Sequence, residues 1–121
     1  MGLFDFLTAA EPPIDYDGID AVKVQTNLLM ITEPDEHQEV IKKMRVGSIV
    51  DLKRTVRNRQ NVYLVSDHKT GKVIGEISYG SSDYLAQNYP KHKLLGKVTE
   101  IGHLTPLGKG NQVRIEYKVY L

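Results

Sequence analysis

The sequence predicts a mainly β, α+β fold: a small β-barrel of five or six antiparallel strands with one longer and one short helix. Two observations predict this class. From Ser48 onward, apolar and polar residues alternate with period two in short runs that turn-forming residues separate. One segment before Ser48 carries a complete set of helix signals, and a shorter helical segment follows within residues 81–89. Short, closely spaced strands with few helices are typical of small barrels.

The longer helix is expected between Thr32 and Gly47. Thr32 is a suitable N-cap, Pro34 falls in the first turn, and three acidic residues suit the positive end of the helix dipole. Apolar residues at helical spacing follow, and basic residues lie near the end. Gly47 is the expected stop, because glycine readily adopts the left-handed conformation that ends helices.

The strands are expected at residues 21–26, 48–55, 61–66, 72–78, 93–102 and 112–121. The short helix is expected in "SSDYLAQNY", with Ser81 or Ser82 as its N-cap and Pro90 after its end. In the last strand, alternation places charged side chains on one face and apolar side chains on the other: Val113, Ile115, Tyr117 and Val119.

Composition limits the class of protein. The chain has 121 residues, enough for one domain with a stable core, and it contains neither Cys nor Trp. Absence of Cys fits a reducing compartment, and no apolar run approaches the roughly 20 residues that span a bilayer. We therefore expect a cytoplasmic protein without a membrane partner. Paired prolines and a glycine indicate that residues 1–20 form an acidic strap or linker, with the barrel domain in residues 21–121.

Charge is distributed unevenly along the chain. The net charge is only +1, but residues 1–40 hold nine acids against one base and residues 41–121 hold 15 bases against six acids. Such asymmetry indicates either an anionic partner or an acidic segment that folds back and neutralises the basic part.

No motif for catalysis is present in the sequence. The four histidines share no i, i+4 spacing, the acids of the basic half are scattered singly, and no G-x-S-x-G nucleophile motif occurs. We therefore expect no metal, no cofactor and no enzymatic activity.

The stretch "KRTVRNRQN", residues 53–61, is the candidate binding site. Lys53 and Arg54 are expected where a strand leaves the core, and Arg57 and Arg59 in a connecting loop, without acids nearby. Arginine forks suit phosphate oxygens, and exposed tyrosine rings stack on unpaired bases. The alternative is a solvated rim with core tyrosines. The predicted nucleic-acid-binding set is Lys53, Arg54, Arg57, Arg59, Asn61, Lys72, Tyr79 and Tyr84.

Residues 40–101 resemble the HIRAN family, whose members share a "VGD-V-L" strand, a strand with "N-A-I-x-V", and "G-x-x-I-G-Y-L" before a helix. The resemblance implies a small barrel related to SH3 and OB-like folds. It also implies binding of single-stranded DNA, often at a free 3′ end, as an accessory to a helicase or nuclease. The residues that match are Val46, Gly47, Val50, Leu52, Asn61, Val62, Val65, Gly71, Ile74 and Gly75.

One departure from the family bears on the mode of binding. The family's Tyr and Asp between the two strands are replaced by Asn58 and Arg59, which favours a generic contact with the backbone of a single strand over recognition of its end. The alternative function is a structural or protein-interaction module. It would use the acidic N-terminal segment and its Phe4 and Phe6 to engage a partner or a second copy of the chain.

Overall fold

The computed structural model describes residues 14–103 and 110–121. Within these ranges, no helix has the length and apolar character needed to cross a membrane. Six strands and two helices follow in the order β1 (Lys23–Leu28), α1 (Asp35–Ile41), β2 (Ile49–Arg57), β3 (Gln60–Asp67), β4 (Val73–Glu76), α2 (Tyr79–Asn88), β5 (Lys93–His103) and β6 (Asn111–Tyr120).

The six strands form one antiparallel sheet in the order β1-β6-β5-β2-β3-β4. Its two edges meet just beyond the end of β1. There Met30 and Glu76 exchange two backbone hydrogen bonds of 2.7 and 2.9 Å, which join the end of β4 to the chain that follows β1. Closure removes part of the exposed edge that an open sheet would present. The predicted mainly β, barrel-like α+β fold is confirmed.

Closure depends on a glycine in β4. A Cβ atom on Gly75 would lie 2.8 Å from the carbonyl oxygen of Met30 and 3.2 Å from the methyl group of Thr32. Because the nearer atom belongs to the backbone, a side chain at this position would push β4 away from the segment after β1 that contains Met30.

One apolar cluster fills the interior, and both helices contribute to it through fully buried side chains, Ile41 from α1 and Leu85 from α2. The alternation predicted for the last strand is confirmed, since its four apolar side chains are at most 1% exposed: Val113, Ile115, Tyr117 and Val119.

The helices differ from their predicted bounds. α1 spans seven residues, so α2, with ten, is the longer helix. Thr32 is buried and does not cap α1. The N-cap is Pro34, and the turns after Ile41 tighten to i→i+3 hydrogen bonds that end the helix early. In α2 the N-cap is Ser78, whose hydroxyl accepts from the amide of Ser81. The two predicted caps, Ser81 and Ser82, lie inside the helix, where the hydroxyl of the fully buried Ser82 accepts from the amide of Tyr63.

The basic stretch also differs from its predicted form. β2 continues to Arg57 and β3 begins at Gln60, so only Asn58 and Arg59 lie in the turn, with φ angles of 52° and 63°. Two consecutive residues in the left-handed region form the type I′ turn that matches the twist of a hairpin, and Asn tolerates this conformation well. The expected connecting loop is therefore a tight hairpin, and Arg57 is a strand residue.

The described part of the predicted strap, residues 14–20, packs on the outer face of β5 and β6. Tyr16 is 5% exposed, and its hydroxyl donates a 2.9 Å hydrogen bond to Glu116. The ammonium groups of Lys97 and Lys118 lie 5.0 and 4.6 Å from its ring centroid. Burial and the hydrogen bond to Glu116 raise the pKa of Tyr16, so its hydroxyl stays a donor at neutral pH.

Candidate nucleic-acid interface

The candidate site begins where two paired strands separate. β2 and β5 are paired only from Ile49↔Lys97 to Asp51↔Leu95. Two residues further along, the same register would place Lys53 opposite Lys93, but no pairing is present there. Like charges directly opposite each other destabilise a sheet, so two lysines at this point favour separation of the strands. The separation leaves one edge of the outer half of β2 without a strand partner.

A cleft of about 390 Å³ lies along this separation. This volume is within the range of sites that hold a small ligand or a single nucleotide-sized group. The cleft is lined by the β2–β3 hairpin, by residues 90–94 and by the end of β6, which bring basic and aromatic side chains together. The hairpin contributes Leu52, Lys53, Arg54 and Tyr63, and the opposite side contributes Pro90, His92, Lys93, Leu94 and Tyr120.

The cations of the cleft are not neutralised. Within residues 14–103 and 110–121, no acidic side chain forms an ion pair with Lys53, Arg54 or Lys93. Arg54 donates a 3.0 Å hydrogen bond from Nε to the side-chain oxygen of Asn61. This bond orients the guanidinium group and leaves its charge uncompensated, which suits an anionic ligand.

Aromatic side chains form the floor of the cleft. Tyr63 is 4% exposed, and burial raises its pKa, although the charge of Arg54 acts in the opposite direction. Across the cleft, the ring of His92 packs edge-on against Tyr89, with the ring centroids 5.0 Å apart. Its Nδ1 atom is buried without a hydrogen-bond partner in the part of the chain that the structure describes. The floor is therefore aromatic, with one buried ring nitrogen, beneath a positively charged rim.

Arg57, near the turn end of the same hairpin, is neutralised by an acid. Arg57 forms two parallel hydrogen bonds to Glu76, of 2.9 Å from Nη1 and 2.7 Å from Nη2, and its Nη2 also lies 3.2 Å from the hydroxyl of Tyr79. The bonds to Glu76 and then to Tyr79 raise the pKa of Arg57 further. The Glu76 side chain is only 6% exposed, so its charge is held against Arg57. The expectation that Arg57 lies in a loop without acids nearby is wrong.

Three more predicted residues lie around a second hollow beside the turn. Arg59, Asn61 and Tyr79 line a space of about 360 Å³ that also includes the carboxylate of Asp83. Tyr79 is 43% exposed and so could offer a ring face to a ligand. This hollow is less positive than the cleft, because Asp83 opposes Arg59.

Lys72 and Tyr84 lie apart from both spaces. Lys72 lines a cavity of about 480 Å³ against α1, and the lining of that cavity also includes the acidic residues Glu36, Glu39 and Asp67. Tyr84 holds the ammonium group of Lys23 over its ring, 4.9 Å from the centroid, and the hydrogen bond from Lys23 lowers its pKa. The structure therefore brings together only part of the predicted set.

Sequence reasoning missed three residues of the cleft: His92, Lys93 and Tyr120. Their signal was present in the run "PKHK", residues 90–93, which concentrates positive charge directly before a strand. The pairing of Lys93 with Tyr120 at the ends of β5 and β6 then places the aromatic ring beside that run. Only the topology shows that this run faces Lys53 and Arg54.

Groups suited to metal binding do not assemble in the part of the chain that the structure describes. No three His, Asp or Glu side chains come close enough together there to hold an ion. The predicted absence of catalytic activity stays a prediction.

Comparison with known proteins yields no relative: no family model, no curated protein and no solved structure matches this chain. The resemblance to the HIRAN family therefore stays a prediction.

Proposed function

We propose that this protein is a non-catalytic nucleic-acid-binding module that holds a single strand, DNA in the first place, in the cleft between β2 and β5. The observation that carries the proposal is the group formed by Lys53, Arg54 and Lys93, three cations around one concave space without acidic partners among the described residues. Phosphate oxygens are the anions that such a row of cations recognises along a chain.

The shape of the cleft favours a single strand over a duplex. A space of about 390 Å³ between two strands of one sheet admits a nucleotide, whereas a duplex would contact only the rim. Tyr120, which is partly exposed at the cleft, offers ring surface to a base, and base–aromatic contacts are worth about 1–3 kcal/mol per base in single-strand binders. Phosphates at the rim and a base towards the floor is the arrangement that these residues favour.

The HIRAN resemblance supports the same class of ligand and would add a helicase or nuclease as a partner. The substitution of the family's Tyr and Asp by Asn58 and Arg59 argues for contact with the backbone rather than with a free 3′ end. A cytoplasmic location fits such a partner and the absence of cysteine.

The test is the salt dependence of binding to a fluorescent oligothymidylate, measured by anisotropy for the wild-type protein and a cleft variant. Replacing Lys53, Arg54 and Lys93 together by Gln should reduce the slope of log K against log salt by about 2, from about 0.7 for each lost contact with a single strand. A control variant with Lys43, Arg45 and Lys69 replaced by Gln has the same charge change outside the cleft, and its slope should change much less.

Absence of binding by the wild-type protein at low salt would refute the proposal. The alternative prediction, a structural or protein-interaction module that uses the N-terminal segment, would then be preferred. Equal changes in slope for the two variants would show that binding is diffuse and is not located in the cleft. Duplex DNA and single-stranded RNA, titrated in parallel, would establish which nucleic acid is preferred.

A further inference from the structure

Strand β1 presents apolar side chains to solvent along its outer face. Val22, Val24, Leu28 and Met30 are 54%, 50%, 40% and 41% exposed, and we refer to these four residues as the β1 row. They are four of the nine exposed large hydrophobic side chains in the described residues. They occupy alternate positions on β1 and the residues that flank it, with the exposed Thr26 between Val24 and Leu28. Contiguous exposed apolar surface marks an interaction site, whereas scattered exposed residues need no explanation.

On β1 the apolar side chains face solvent and the polar side chains face the protein, and hydrogen bonds of the polar side chains hold this arrangement in place. The polar side chains point towards α2, where Lys23 donates to the hydroxyl of Tyr84 at 3.3 Å and the side-chain amide of Asn27 donates to the hydroxyl of Ser81 at 3.1 Å. A shift of register by one residue would exchange the two faces of the strand and break both contacts. The β1 row is therefore a fixed feature of this face of the barrel.

The N-terminal segment approaches the barrel beside this row. Val24 is paired with Lys118 on β6, and Lys118 donates a 2.8 Å hydrogen bond to the carbonyl oxygen of Tyr16. The Tyr16 hydroxyl bonds to Glu116, which is the partner of Thr26 in the same ladder. Since neighbouring strands lie about 4.8 Å apart, the strap is anchored within one or two strand widths of the β1 row.

The chain before this anchor has the composition and the length to cover the row. Residues 3–7, "LFDFL", hold four large apolar side chains around Asp5 and no base. The nine residues from Leu7 to Tyr16 reach up to about 30 Å when extended, more than the roughly 26 Å length of the row. Two cations of β6, Arg114 and Lys118, border the row and suit the charge of Asp5.

We propose that residues 3–7 dock on the β1 row of their own chain. Docking would bury apolar surface on both sides and continue the contact that Tyr16 begins. The linkage through Tyr16 favours the chain's own segment over a second copy, because a short tether holds the segment at a high effective concentration beside the row. This inference does not depend on nucleic-acid binding.

Disulfide trapping tests the proposal in the full-length protein, which contains no cysteine of its own. One variant combines Phe6→Cys with Val24→Cys, and its matched control combines Phe6→Cys with Val56→Cys. Val56 is 62% exposed and lies on β2, three strands away from β1 in either direction around the barrel. Formation of the intramolecular disulfide should be about tenfold faster in the Val24 variant, because docking raises the local concentration of the two thiols.

Equal rates in the two variants would overturn the proposal, and so would disulfide-linked dimers in the Val24 variant, which would identify a second copy as the occupant. If the cysteine variants show no cooperative unfolding transition and so are not folded, a second experiment replaces the first. It compares amide hydrogen exchange of the double variant Phe4→Ser/Phe6→Ser with that of wild type. Exchange in β1 several-fold faster than in wild type is expected, and unchanged exchange would overturn the proposal.

Discussion

Arg54 and Arg57 lie three residues apart on β2, and their surroundings differ in the respect that matters most for binding. Arg57 is held by two hydrogen bonds to the buried carboxylate of Glu76, whereas Arg54 is oriented by the neutral amide of Asn61 and lines an open cleft. Arg57 thus helps to hold the barrel together, whereas Arg54 carries free charge. A run of basic residues therefore indicates an anion-binding site only where no acidic side chain of the same protein forms an ion pair with it.

The largest expected effect on stability comes from a substitution that displaces the backbone of β4 beside Glu76. Gly75→Ala should lower the free energy of unfolding by about 1–3 kcal/mol, because its new Cβ forces β4, with the adjacent Glu76, away from Met30. Urea denaturation measures the loss. Gly80→Ala is the control, because a Cβ there meets no atom within 4 Å. Equal stability of Gly75→Ala and wild type would show that closure does not depend on the close approach.

A smaller effect is expected when the ion pair is broken but the backbone is left in place. Glu76→Gln should free Arg57 to contact a phosphate. The affinity for an oligothymidylate should then rise about threefold at low salt, which is roughly the gain expected from one additional phosphate contact. The salt slope should steepen as well. Asp83→Asn removes the same charge beside the hairpin without releasing Arg57, so it should raise the affinity less. An equal rise in both variants would indicate an effect of net charge alone.

The strands and the apolar face of the last strand could be predicted from the sequence because both depend on local alternation. The helix bounds were less accurate. The signals around Thr32 are those of a helix cap, but Thr32 is buried. The side-chain amide of Gln38 donates to the backbone carbonyl oxygens of Thr32 and Asn111. Contacts between segments far apart in sequence decided that boundary, and a local pattern does not contain them.

The site was predicted in part for the same reason. Lys53 and Arg54 were identified from charge density, but their partners across the cleft come from a segment about 40 residues further along the chain. The pairing of Arg57 with Glu76 follows from β4 lying beside β3, which a single sequence does not reveal. The Asn-Arg turn could have been recognised as a hairpin, since Asn favours the left-handed region.

The most direct test of the account compares Arg54→Gln with Arg57→Gln in the same two assays. Both variants lose one positive charge from the same strand, so the two variants differ only in whether the lost charge lines the cleft or is paired with Glu76. For Arg54→Gln we predict a salt slope for oligothymidylate binding that is lower by about 0.7, with unchanged stability in urea. For Arg57→Gln we predict an unchanged slope and a lower urea midpoint, because Glu76 is left buried without its partner. A loss of slope in Arg57→Gln equal to or greater than that in Arg54→Gln would contradict the assignment of binding to the cleft.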